Sequence, residues 1–216
     1  MSRKGQSRTS LSGDIRSLGS SSPSDSELLL RSYSVATLGV DIKVGSFFAP
    51  HSFESLEADW QSWRQAQLHA AFLLVKETHA RVSTLNLDRL AELDSSLEAL
   101  PQSGAMRLAG TAFFEGKQEM QSHLEWKKYA KLVEEGSAPG HSIVVFTIHA
   151  HLFRLPLVEI FNAYAWFEWV SGLASLPERA PEALLTPTSE WMAEVAAEAA
   201  RALHHQPEQS IGLRAV

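Results

Sequence analysis

The chain carries nine histidines and no cysteine. Metal chemistry would therefore fall to imidazole and carboxylate, while disulfides, thiolate zinc sites and cysteine nucleophiles are excluded. His141, His149, His151, His204 and His205 lie in the C-terminal half, and imidazole suits nickel, zinc and copper. A helical metal pair needs residues four apart on one face, as in His-Glu-x-x-His, and that pattern is absent. His149 and His151 are two apart and would point about 200° away from each other on a helix, so they read as polar residues lining packed helices. The carboxylates at Glu54/Glu57, Glu92/Asp94/Glu98 and Glu134/Glu135 read as solvated faces, since no Glu-x-x-His pair suggests a di-iron bundle. Glu159 and Glu168 stand in the most apolar region, where an unpaired carboxylate is costly, and Arg154 is the expected structural partner. There is no Gly-x-x-x-x-Gly-Lys-Ser/Thr phosphate loop and no Gly-x-Ser-x-Gly nucleophile elbow.

The elements that position these residues are helical. From Gly140 to Leu173 an apolar run through Ile143, Val144, Val145, Phe146 and Ile148 passes Leu155-Pro156-Leu157 into an aromatic segment, Ile160 to Phe167. A membrane span wants about 20 apolar residues with few charges. Here His149, His151, Arg154, Glu159 and Glu168 intervene, so the run predicts two core helices bent at Pro156. Ser52 opens a long helix reaching about Arg81, with Leu56, Trp60, Trp63 and Leu74 at helical spacing. Asn86 caps the next, striped by Leu87, Leu90, Leu93, Leu97 and Leu100 and stopped by Pro101. A further helical region starts at Ser103 with Met106, Leu108, Phe113 and Phe114, breaks at Gly116, and resumes through Leu124, Trp126 and Tyr129. Loops follow at 136–140 and 177–187. The last helix begins near Thr188 and is rich in alanine, a small-residue face suited to packing within the subunit or to docking a partner. Val40, Ile42 and Val44 alternate as a strand would, but a lone strand lacks a partner, and a packed loop is expected over 39–50, after a short apolar segment at 28–38.

Composition sets the frame. A length of 216 residues with 44% hydrophobic and 20% charged residues fits one globular domain plus a tail. The sequence predicts an all-α single helical-bundle domain at 27–206, a disordered Ser/Arg-rich arm at 1–26 and a flexible tail at 207–216. No signal-peptide stretch follows Arg3 and Lys4, so the cytoplasm is the expected compartment, with an organelle transit peptide as an alternative reading of Arg3, Lys4, Arg8 and Arg16 among serines. A net charge of −6 argues against nucleic-acid binding by the body.

Three segments together resemble a known family. Gly45-Ser46-Phe47-Phe48-Ala49-Pro50-His51-Ser52-Phe53-Glu54 is similar to the Gly-Gly/Ser-Phe motif near the start of UreF proteins. His141 to Phe146 resembles their His-x-x-Val-Val-Phe helix. Leu155 to Glu159 and Asn162-Ala163-Tyr164-Ala165-Trp166 resemble the turn and helix that follow. Val170-Ser171 continues the pattern, but the arginine and the Gly-Gln pair usual after it are missing. The resemblance implies an all-α homodimer that binds the UreD/UreH scaffold, recruits the GTPase UreG and assists nickel delivery to apo-urease without itself catalysing a reaction. Nickel would be cargo, and no cofactor, catalytic residue, resident metal or membrane contact is implied. The matched motifs imply partner-binding roles for Phe47, His51, Glu54, His141, Tyr164, Trp166 and Ser171. Two other readings remain at this point. A basic arm on an acidic helical body suits a structural or nucleic-acid-coating protein, and a small helical enzyme would use Glu159, Glu168 or His149.

Overall fold

In the computed structural model, residues 48–116, 120, 122–177, 180–185 and 188–205 are described, and every regular element among them is helical. The expected arm, the apolar segment at 28–38, most of the stretch at 39–50 and the C-terminal tail lie outside the described residues. Ser52 and Ser55 begin the fold by reciprocal capping: each backbone N–H donates to the other's hydroxyl at 3.2 Å. Regular helix α1 then spans Leu56–Trp63. It continues without interruption through a π-helical turn, Arg64–Leu68, into α2, His69–Ser83. The long helix expected from the spacing thus exists, but with one widened turn.

Leu85 takes a positive φ of 54° at the corner, and Asn86 accepts the Arg89 N–H to cap α3, Leu87–Ser96. A short 3-10 turn, Leu97–Ala99, leads past Pro101 to α4, Ser103–Gly116. Helix α5 is Leu124–Glu134 and α6 is Ser142–Leu152. Helix α7 is Leu157–Ser175, and after a 3-10 turn at Glu182–Leu185 the chain ends in α8, Ser189–His204, which Thr188 caps through the Trp191 N–H.

Helix α6 is the axis of the fold. Every residue from Ser142 to Ala150 is buried, which a helix apolar on all sides requires. It packs against α4, α2, α7 and α5, while α2 also meets α8, α7 and α3. Gly110 makes the α4 contact close, because a Cβ there would collide with the carbonyl oxygen of Gly140. Gly140 itself holds a φ of +78° at the entry to α6.

Two expectations are corrected. The apolar run forms the two core helices expected, but no bend at Pro156 joins them. Helix α6 stops at Leu152, the chain reverses through Phe153 and Arg154, whose φ is 57°, and Pro156 stands at the N-cap of α7. Proline has no N–H to donate, so it suits a helix start and marks a separate element. Arg154 is exposed on that turn and is not the partner of Glu168. The Glu168 carboxylate instead accepts from the Tyr164 hydroxyl and, at 3.1 Å, from the Phe48 backbone N–H.

Candidate docking groove

The aromatic residues of α1, α7 and α8 meet at one end of the bundle. Phe48 sits edge-on to Trp60 at 5.1 Å between centroids and stacks on Trp169 at 6.0 Å. It can reach that position because Gly172 leaves room where a Cβ would strike its ring. Trp60 stacks on Trp63 at 5.1 Å and on Trp191 at 5.4 Å, and Trp166 meets Trp191 edge-on at 5.4 Å. Such offset and edge-to-face pairs each add about 0.5–1.5 kcal/mol beyond the area they bury.

On the outer side of this cluster lies a groove of about 600 Å³, within the range of sites that take a ligand or a few side chains. Its apolar surface comes from Phe53, Leu56, Trp166, Trp169, Leu184 and Trp191, and its carboxylates are Glu54, Glu57, Glu190 and Glu194. No lysine, arginine or histidine lines it among the described residues. The Trp169 indole N–H donates to the Leu184 carbonyl at 2.8 Å and so ties the 3-10 wall to α7. At the far edge Gln61 donates to Glu194 at 3.1 Å, and Arg64 approaches the same carboxylate at 3.4 Å.

The residues singled out from sequence divide between this groove and the interior. Glu54 is exposed on the rim, and a hydrogen bond from Ser52 holds its carboxyl below the ordinary value. Trp166 is nearly buried and contributes to the wall. His51 is exposed, and its ring and backbone N–H both reach Asp59, at 3.1 and 2.8 Å. The backbone N–H of His51 and the Ser55 hydroxyl depress the Asp59 pKa. Phe47 lies outside the described residues. His141, Tyr164 and Ser171 are buried and offer no surface to a partner. Tyr164 is held by Glu168, and burial followed by that carboxylate pushes its hydroxyl well above the usual range.

His141 belongs to a sealed polar network. Asp94 accepts the Tyr129 hydroxyl at 2.6 Å, the Gly140 N–H at 2.7 Å, the His141 N–H at 3.2 Å and the His141 ring Nδ1–H at 2.7 Å. Reading Asp94 as part of a solvated face was wrong: the loop 136–140 folds over it, and its exposure is 0%. His149 is buried among the rings of Phe113, Trp126 and Phe153, and His151 lies edge-on to His79 at 4.9 Å. Glu159 is half-buried in the first turn of α7. No group of three histidine, aspartate or glutamate side chains fit to hold a metal forms among the described residues.

Trp169, Trp191, Glu190 and Glu194 were not singled out as site residues from the sequence, where Glu190 and Trp191 read only as the start of the last helix. The available signal was the pairing of a large aromatic with a glutamate at Phe53-Glu54 and Glu190-Trp191, but two separated dipeptides do not reveal a common surface until the helices pack. No helix of the described residues is long and apolar enough to cross a membrane.

No curated protein and no solved structure gives a significant match. A protein-family model described as UreF matches residues 52–176, from the Ser52 cap through the end of α7 and more than half of the chain. The long capped helix, the buried α6 and the aromatic α7 thus lie within one family pattern, and the chain belongs to the UreF family of urease accessory proteins.

Proposed function

We propose that the chain is a non-catalytic adaptor in urease maturation, bridging a UreD/UreH-type scaffold and a UreG-type GTPase so that nickel can be delivered to apo-urease. It acts in the cytoplasm, as a homodimer, and nickel passes through the assembly as cargo. The observation that carries this reading is the family match over residues 52–176. The described polar groups agree with a protein that docks. The buried carboxylates Asp94 and Glu168 accept from tyrosine hydroxyls and backbone N–H groups, and three carboxylates of the groove, Glu54, Glu57 and Glu190, are exposed beside tryptophan.

The test is co-purification of the tagged full chain from cells that also express the scaffold and the GTPase. Capture of the scaffold in stoichiometric amount, with the GTPase retained through it, is the expected result. A clean failure, under conditions in which an established UreF protein is captured, would reduce the family relationship to a shared fold.

A further inference from the structure

The groove between α1, α7 and α8 combines two features that select the same chemistry. Four carboxylates, Glu54, Glu57, Glu190 and Glu194, border it; Arg64, outside the lining, pairs with Glu194 at 3.4 Å, which leaves Glu54, Glu57 and Glu190 with no cation among the described lining residues. Glu54 and Glu190 are exposed, so their charge is available to an incoming group. Between the carboxylates lie the buried indoles of Trp166 and Trp169, 4% and 6% exposed, and the partly exposed indole of Trp191, an aromatic surface of the kind that attracts guanidinium and ammonium groups. An acidic side chain would meet like charge, and a purely apolar segment would leave the carboxylates to be desolvated without a partner. An arginine or lysine satisfies both parts, its aliphatic stem lying on the indoles and its head reaching the rim.

We infer that this groove docks a basic segment of a partner protein, one that presents arginine or lysine side chains between apolar ones. The inference rests on the adaptor reading for the statement that the occupant is another protein, and on the groove alone for the occupant's chemistry. The walls are preformed: Thr188 caps α8, Trp169 fastens the 3-10 turn, and the Gln61, Arg64 and Glu194 contacts close one edge. Binding therefore requires little ordering of this chain.

The test uses the full chain and a labelled peptide of alternating arginine and leucine, with a glutamate-for-arginine peptide as control, read by anisotropy and by the fluorescence of the groove tryptophans. The arginine peptide is expected to bind, the control is not, and affinity should fall as salt is raised. The double variant Glu54→Lys, Glu190→Lys changes exposed positions and should weaken binding at least tenfold, about 1.4 kcal/mol, while its circular dichroism and melting curve stay those of the parent. Absence of binding, equal binding of both peptides, or indifference to the charge reversal would overturn the inference. Binding that appears only when Arg3, Lys4, Arg8 and Arg16 are changed to serine in the full chain would assign the groove to the chain's own arm and overturn it as well. Scaffold capture without peptide binding would remove this inference and leave the adaptor reading standing. Peptide binding without scaffold capture would do the reverse for the scaffold while keeping the groove's chemistry.

Discussion

At the scale of single residues, Asp94 fixes more backbone than any other described side chain near it. It accepts the Tyr129 hydroxyl, the His141 ring and two successive backbone N–H groups, all within the interior. Asp94→Ala would strand those donors and should cost about 3–5 kcal/mol, the usual penalty for removing one side of a buried polar pair. A urea titration that returned a nearly unchanged midpoint would show that water reaches this site. Trp166→Ala should cost a similar amount, about 3–5 kcal/mol, because the indole is 4% exposed and packs edge-on to Trp191. The thermal midpoint is the measurement, and a negligible shift would place Trp166 outside the core.

At the scale of elements, most helices were legible because their boundaries are written in local chemistry. Asn86, Pro101, the loop at 136–140 and Thr188 each end or start a helix where their residue types demand it. What escaped was set by distant contacts. Leu108 and Leu124 stand among the apolar residues of the helical region after Ser103 but are 70% and 51% exposed, because spacing assigns a face and only packing decides whether that face is covered. The C-terminus of α8 shows the same dependence: Lys76, in the middle of α2, donates to the carbonyls of Ala202, Leu203 and His205 at 2.9–3.1 Å, a cap supplied from 126 residues away. Lys76→Met keeps the stem but removes the charge and should cost about 1.5–3 kcal/mol, with the loss visible as faster hydrogen exchange in the last turn of α8. A second contact between elements is sensitive to acid. Burial, with the neighbouring imidazole in the case of His79, holds His79 and His151 below the ordinary 6.5, while Glu125 beside His151 acts in the opposite sense. As pH falls, the unfolded chain protonates these rings first, so their contribution to stability is complete above about pH 6.5 and declines as pH drops toward the folded values. The paired variant His79→Gln, His151→Gln should flatten the melting temperature between about pH 7 and pH 5, and an unchanged slope would assign the acid sensitivity elsewhere.

At the scale of the whole molecule, the family match stops at residue 176, yet the fold does not. Helix α8 places Val195, Ala199 and Ala202 in the core and Trp191 against Trp60 and Trp166. Ala199 and Ala202 let it lie close to α2 and α7, while Ala193, Ala196, Ala197 and Ala200 are exposed, so the packing expected of its alanines holds for two of the six. A chain ending at residue 187 should therefore lose its cooperative thermal transition and bind a hydrophobic dye. A sharp transition in that shortened chain would show that α1 to α7 form a self-sufficient unit. The π-helical turn at Arg64–Leu68 matters in a different way. Such a turn holds one residue more than its α-helical equivalent, and each residue rotates a helix by about 100°. Upstream of it Trp60 faces the aromatic cluster, and downstream Phe72 stacks on Phe161 at 4.6 Å. Losing one codon within 64–68 would leave an unbroken, regular α-helix with both halves facing as they do now, whereas winding all five residues as α-helix would swing the second half out of phase with the first. The turn is thus a length buffer: it absorbs one residue, and the gene can lose a codon there without changing which way the two halves of its longest helix face.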